Sequence, residues 1–331
     1  LFYNYDAIKK LKKIIRNEKP DIAHLHNIAY QISPAIIRVL KKNNIPIVQT
    51  LHDYKLICPN AKLYTQGKMC QACRGGKYYN SFLKKCNHSS RVKSFLGMCE
   101  AYWHDKILRT YNKVDLFIAP SQYMKDVCVK FGIPENKVKV LYNFLGKYEI
   151  VEPILDRKYF LFFGRLTAEK GIESVLQAFA NMDNQYNFKI VGSGPEYSNL
   201  SKAIKKMNLS KQVELIGPKY GEELQSLISG ATAIIMPSLW PENMPYSLLE
   251  SLVAGKAVIT SKVGGIPELI NDGVNGFLYN PGDSNELAEK IKMVAKMDLQ
   301  LIENNAKMTA KKFNANDHFV KIISIYKELI T

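Results

Sequence analysis

The stretch MPSLWPENMPYSLLESLVAGKAVITSKVGGIPE, residues 236–268, decides the fold. It begins as the end of an apolar run, Ala231–Met236, which reads as a buried strand stopped by Pro237 and Ser238. A turn-rich segment follows, in which Pro241 and Pro245 frame Glu242, Asn243 and Met244. Residues 246–254 then carry Leu248, Leu249, Leu252 and Val253 at helical spacing, with Gly255 as the stop. Strand, loop and helix in that order put the loop at a strand's carboxyl end, where open α/β sheets bind ligands. Glu242 and Glu250 bracket the helix N-terminus, whose free N–H groups suit a phosphate. A plainer reading stands beside this one: Ser247 and Glu250 fit an S-x-x-E capping box, which alone accounts for Glu250.

Outward from this unit the rhythm repeats. Runs at 159–163, 188–191, 212–216, 256–261 and 276–279 read as strands separated by helices, and helices at 284–297 and 315–329 close the chain. In the first half, strands are predicted at 21–26, 46–51, 115–119 and 138–142, with helices at 5–17, 33–42 and 122–131. Residues 91–111 read as one long amphipathic helix whose stripe of Val92, Phe95, Leu96, Cys99, Trp103, Ile107 and Leu108 packs into a core, or else touches a membrane. Alternation of strand and helix predicts parallel, doubly wound sheets. At 331 residues there is chain for two of them, joined by a weakly periodic linker at 143–158.

Composition is that of a globular protein, 47% apolar and 23% charged, with no run approaching the roughly 20 residues that span a bilayer. The cytoplasm is the default compartment. The net charge of +16 is one-sided: residues 1–150 hold 26 Lys+Arg against 10 Asp+Glu, and residues 151–331 hold 20 against 20. A basic first half suits an anionic membrane surface or is a merely solvated Lys-rich face. No nucleic-acid recognition module accompanies it.

Several groups carry chemistry. Gly164 turns out of a strand in FFGRLTAEKG, and Arg165 and Lys170 follow within one loop, a fork and a point charge suited to a diphosphate. VGSGPE brings Gly192 and Gly194 to a second strand end, without the third glycine of a dinucleotide fingerprint. His24, His26 and His52 lie at strand ends in the first half. Between them and the long helix the strand–helix rhythm breaks into a C-x11-C-x2-C-x12-C array of Cys58, Cys70, Cys73 and Cys86. Four thiolates with one CxxC pair suit a structural zinc ion; an iron–sulfur cluster or plain reduced thiols fit the same residues.

Taken together, GRLTAEKGI (164–172), VGSGPE (191–196), VELIGP (213–218), the spaced acids of ENMPYSLLE (242–250), GKAVITSKVGGIPELI (255–270), DGVNGFL (272–278) and PGD (281–283) resemble the retaining glycosyltransferases of family 4, and KPDIAHLHN and PIVQTLHD match more loosely. The resemblance implies an α/β, GT-B fold of two facing Rossmann-like, doubly wound domains. The first would occupy 1–145 with a cysteine-rich insertion at 58–86, the second 155–315, and a helix at 316–331 would pack back toward the first. The family's opening strand and glycine-rich loop find no match, which implies that the first domain is incomplete and part of the acceptor site absent, and leaves the activity of this chain an open expectation.

By the same resemblance, Arg165 and Lys170 hold the diphosphate of a UDP- or GDP-sugar. Glu242 contacts the donor sugar, the backbone of Asn243, Met244 and Tyr246 approaches the phosphates, Glu250 takes the ribose, and His52 faces the sugar. Gly164, Gly192 and Gly194 shape the same pocket. The reaction is transfer of a hexosyl unit with retention to a glycan or lipid-linked acceptor, at the inner face of the membrane. It needs stabilisation of the departing diphosphate, and no metal cofactor. A sugar-nucleotide epimerase or phosphorylase on this fold and a non-catalytic nucleotide-sugar binder are the competing readings.

Overall fold

The computed structural model describes residues 2–146, 159–182 and 185–330; most of the expected linker, 147–158, lies outside them. The chain divides into two compact units, one of Leu1–Tyr142 with Asn316–Thr331, the other of Asn143–Ala315.

In the first unit, β1 (Ala23–His26), β2 (Ile47–Thr50), β5 (Leu116–Ala119) and β6 (Val138–Val140) form a parallel sheet in the order β1-β2-β5-β6. The residues of β2 and β5 are buried throughout, as central strands covered on both faces require. The helix Tyr5–Glu18 is capped by Asn4, whose side chain accepts from the Ala7 N–H at 3.0 Å. The last helix, Ala315–Ile330, lays Ile322 and Ile325 against Val48, Leu116, Ile118 and Leu141 of the same unit. Between β2 and β5 the chain makes an excursion with a small hairpin of β3 (Tyr64–Thr65) and β4 (Lys68–Met69).

The long amphipathic helix expected at 91–111 is corrected. An α-helix runs only over Arg91–Ala101, and the chain then widens into a π-helical stretch, Tyr102–Ile107, before Arg109 reverses it with φ of +46°. Its apolar stripe is not core: Val92, Phe95, Leu96, Trp103 and Ile107 are exposed, Val92 and Ile107 by 69% and 64%. The buried face is Ser94, Gly97, Glu100 and His104. Specific partners decide this inversion. Ser94 Oγ accepts from the Asn87 N–H at 3.0 Å, and Glu100 meets the Lys55 ammonium at 2.5 Å. A buried ion pair cannot be turned to solvent without reordering the segment after β2, so polar satisfaction outweighs the stripe.

The second unit holds β7 (Tyr159–Phe163), β8 (Asn187–Val191), β9 (Val213–Gly217), β10 (Ala231–Met236), β11 (Val258–Ser261) and β12 (Phe277–Tyr279). All pairs are parallel, in the order β12-β11-β10-β7-β8-β9. Phe160, Phe188, Ile190, Ile235 and Ile259 from the sheet pack with Val175, Phe179, Leu287 and Ile291 from helices in one core. Each such side chain contributes about 1.5–3 kcal/mol by leaving water. A helix at Gln300–Ala310 was not legible as a separate element; Ile302, Ala306 and Ala310 supply its buried side.

The loops leaving β7 and β8 interlock through glycine. A Cβ on Gly192, where φ is +147°, would stand 1.8 Å from the Gly164 carbonyl oxygen, and one on Gly194 2.2 Å from that of Leu166. Both glycines therefore serve loop-to-loop packing that no larger residue allows. Gly192→Ala is expected to destabilise the second unit by about 2–4 kcal/mol, read as a lower urea midpoint; an unchanged midpoint contradicts this packing.

Candidate active site

In the second unit, strand order reverses direction between β7 and β10, and the crevice at their carboxyl ends is where ligands bind in open α/β sheets. β10 ends at Met236, and the loop beyond it brings Glu242 back into the protein, 3% exposed. Its Oε1 accepts from the Lys170 ammonium at 2.6 Å and from Ser238 Oγ at 2.6 Å. The Lys170 ammonium also lies 5.8 Å from the centre of the Trp240 ring. The backbone of Glu242 is fixed as tightly as its carboxylate. Its carbonyl accepts from the Gly265 N–H at 2.7 Å, and a Cβ on Gly264, at φ +57°, would stand 2.0 Å from that same oxygen. Ser238 figures in the sequence only as a strand stop, and Trp240 and Gly264 carry no assigned role there, although the Gly264-Gly265 pair is a visible signal for close backbone approach.

The other expected residues of this unit surround that knot unevenly. Arg165, two residues past β7, is exposed, and its side chain makes no ion pair or hydrogen bond among the described residues. Asn243 and Met244 are buried, and the Met244 carbonyl accepts from Asn143 Nδ2 at 3.0 Å. Tyr246, exposed, opens the helix Tyr246–Val253. The capping-box reading of Glu250 is corrected: Pro245 is the N-cap, and no side chain caps this helix. The Glu250 carboxyl is instead half-buried, and burial alone raises its pKa. Gly164 donates its N–H to the Val191 carbonyl at 3.0 Å and Gly192 to that of Gly217 at 2.9 Å, so both continue the sheet's hydrogen bonding at their strand ends.

In the first unit the three histidines meet. His26 Nδ1 and His52 Nε2 are 2.7 Å apart, at hydrogen-bond distance, while the His24 and His26 ring centres lie 4.3 Å apart. His24 is held at both nitrogens, by Tyr326 Oη at 2.5 Å and Thr50 Oγ1 at 2.7 Å. His52 opens onto a cavity of about 330 Å³ at the ends of β1 and β2, lined also by Asn27, Tyr30, Gln49, Asp53 and Lys55. Gln49 Oε1 is buried beneath it without a hydrogen-bond partner among the described residues.

Of the four cysteines, Cys58 and Cys73 are buried and Cys70 and Cys86 half-buried, all free thiols lining one small cavity. As the side chains stand, no three His, Cys, Asp or Glu residues among those described form a group that could hold a metal ion.

Burial, then the neighbouring His26, His52 and His318, lower the His24 pKa from 6.5 to about 4. The fold favours the neutral ring. This stabilisation is complete above pH 6.5 and is lost as pH falls toward 4, on the order of 2–3 kcal/mol in all. Urea midpoints should therefore drop between about pH 7 and about pH 5, and the drop should shrink in His24→Asn. An equal drop in both proteins contradicts it.

Sequence comparison agrees with this geometry. Residues 148–313, half of the chain, match the family described as glycosyl transferases group 1, and residues 1–145 match glycosyltransferase family 4. The chain is 30% identical over 271 residues to an uncharacterized 42.6 kDa protein in the cps region of Klebsiella pneumoniae, covering 81% of this chain and 64% of that protein. It is 28% identical to the uncharacterized glycosyltransferase MJ1178 of Methanocaldococcus jannaschii, over 99% of this chain and 81% of that one. Among solved structures, Anabaena Alr3699/HepE in complex with UDP and glucose is similar at a TM-score of 0.70 and 21% identity, covering 96% and 81% of the two chains. The fold is thus of the GT-B class, and the chain belongs to the glycosyl transferases group 1 family.

Proposed function

We propose that the chain transfers a sugar, with retention, from a nucleotide-sugar donor to a hydroxyl of a glycan or lipid-linked acceptor in cell-surface glycan synthesis. The observation that carries this reading is the Glu242 carboxylate, buried and anchored by Lys170 and Ser238 after β10, while Arg165, after the neighbouring β7, has an exposed side chain with no ion pair or hydrogen bond among the described residues. The cps-region origin of one relative and the UDP and glucose bound by HepE support the glycan setting and a UDP-sugar donor.

In this reading Arg165 and the N-terminus of Tyr246–Val253 take the diphosphate and stabilise its charge as the glycosidic bond breaks. Lys170, engaged by Glu242, holds that carboxylate as an acceptor for donor-sugar hydroxyls and adds its charge to the phosphate side. Glu250, half-buried without a compensating cation, takes the ribose hydroxyls. His52, hydrogen-bonded to His26, is assigned to the donor sugar, and the departing phosphate accepts the proton of the acceptor hydroxyl. Removing one charge stabiliser of this kind costs about 100–1,000-fold in rate. Arg165→Ala, which breaks no side-chain hydrogen bond or ion pair among the described residues, should lose that much transfer or donor hydrolysis with an unchanged Tm, and UDP should no longer raise its Tm. Wild-type rates in Arg165→Ala contradict the assignment.

No helix among the described residues is long and apolar enough to cross a membrane. The exposed Val92, Phe95, Leu96, Trp103 and Ile107, on the unit that carries the excess of Lys and Arg, support peripheral docking on an anionic cytoplasmic face. The full chain should co-sediment with phosphatidylglycerol vesicles and not with phosphatidylcholine vesicles, and Trp103→Ser with Ile107→Ser should weaken this about tenfold. Equal sedimentation of the double variant removes this face from the account.

A further inference from the structure

Cys58, Cys70, Cys73 and Cys86 come from the excursion after β2 and line one cavity of about 10 Å³. That volume sits at the threshold for a single water, so its guest is no larger than a water or a bare ion. Every sulfur also faces a donor. Cys58 Sγ receives the backbone N–H groups of Leu63, Asn60 and Lys62, and Cys73 that of Ser81. Cys86 receives the Thr65 hydroxyl, and the Lys84 ammonium stands 3.5 Å from Cys70 Sγ. These donors offset only part of the burial that raises the Cys58, Cys73 and Cys86 pKa values above the ordinary thiol value. Residues 58–86 hold six Lys and Arg and no Asp or Glu, a surrounding suited to a centre of net negative charge.

We propose that these four residues close on one zinc ion as a structural, four-coordinate site. The Cys58 thiol, which donates to Asn60 Oδ1 at 2.9 Å, must first turn away from that acceptor, and the sulfurs must then draw together from their present spacing. Four S–H bonds release four protons to solvent as four Zn–S bonds form. Sulfur keeps its electron pairs, and nothing is oxidised or reduced. The centre carries two net negative charges, which Lys84 and the N–H donors offset. Cys99 and Cys128 lie outside the cavity and take no part.

The site would clamp the chain that leaves His52. Cys58 N–H donates to the Tyr54 carbonyl at 2.8 Å and Tyr54 N–H to that of Ala61 at 3.1 Å, so the loop holding Asp53 and Lys55 is built on the cysteine turn. The inference stands whether or not the chain transfers sugar.

The test is metal and thiol analysis of the full chain purified under reducing conditions. About one equivalent of zinc is expected, and a cobalt-exchanged sample should show thiolate-to-cobalt charge transfer with the visible bands of tetrahedral geometry. Chelation should speed alkylation of these four thiols at least about tenfold and lower the Tm. Cys99→Ser should keep the metal, and Cys73→Ser should lose it. The wild-type measurements stand alone where Cys73→Ser fails to fold. Failure of the wild-type chain to take up zinc or cobalt overturns the proposal, as does a disulfide among the four or iron with inorganic sulfide in their place.

Discussion

The Lys170–Glu242 ion pair is the interaction on which the second unit's ligand edge depends. An almost fully buried carboxylate is costly unless it is paired and hydrogen-bonded, and Glu242 is both, through Lys170 and Ser238. The pair joins the loop after β7 to the loop after β10, across the point where strand order reverses. Gly264 lets the chain after β11 close behind it. Three connections from one sheet are thereby tied to a single oxygen-bearing group, which is how a loop acid acquires a fixed position.

The first unit solves the same problem differently. There, Lys55 and Glu100 bind the segment after β2 to the helix Arg91–Ala101, and the histidines are braced by Tyr326 from the last helix. A strand-end histidine is thus supported from the far end of the chain, 302 residues along the sequence from His24. Such support is invisible to any local pattern, because it depends on where the last helix packs.

How much was legible follows from range. The ten strands of the two main sheets were readable, since runs such as YFLFF and ATAIIM are bounded by turn residues and bury both faces. The glycine-bearing strand ends, Glu242 and the cysteine array were readable from spacing. What failed was reading Val92–Ile107 as a core stripe, because apolar periodicity carries no information on which face holds polar partners in the fold. Glu250 as a capping residue failed for a related reason: Pro245 starts the helix earlier and leaves Ser247 inside it. The partners of Glu242 and the pairing of His26 with His52 join residues far apart in sequence, and only the folded chain reveals them.

The claim at the centre of this account is that Glu242 reads the sugar, while Arg165 reads the diphosphate. Calorimetric titration of Glu242→Gln with UDP and with UDP-glucose separates the two. The account predicts that Glu242→Gln binds UDP nearly as the wild type does and loses the extra affinity for UDP-glucose, about tenfold or more. Equal weakening toward both ligands, or none toward either, would contradict it.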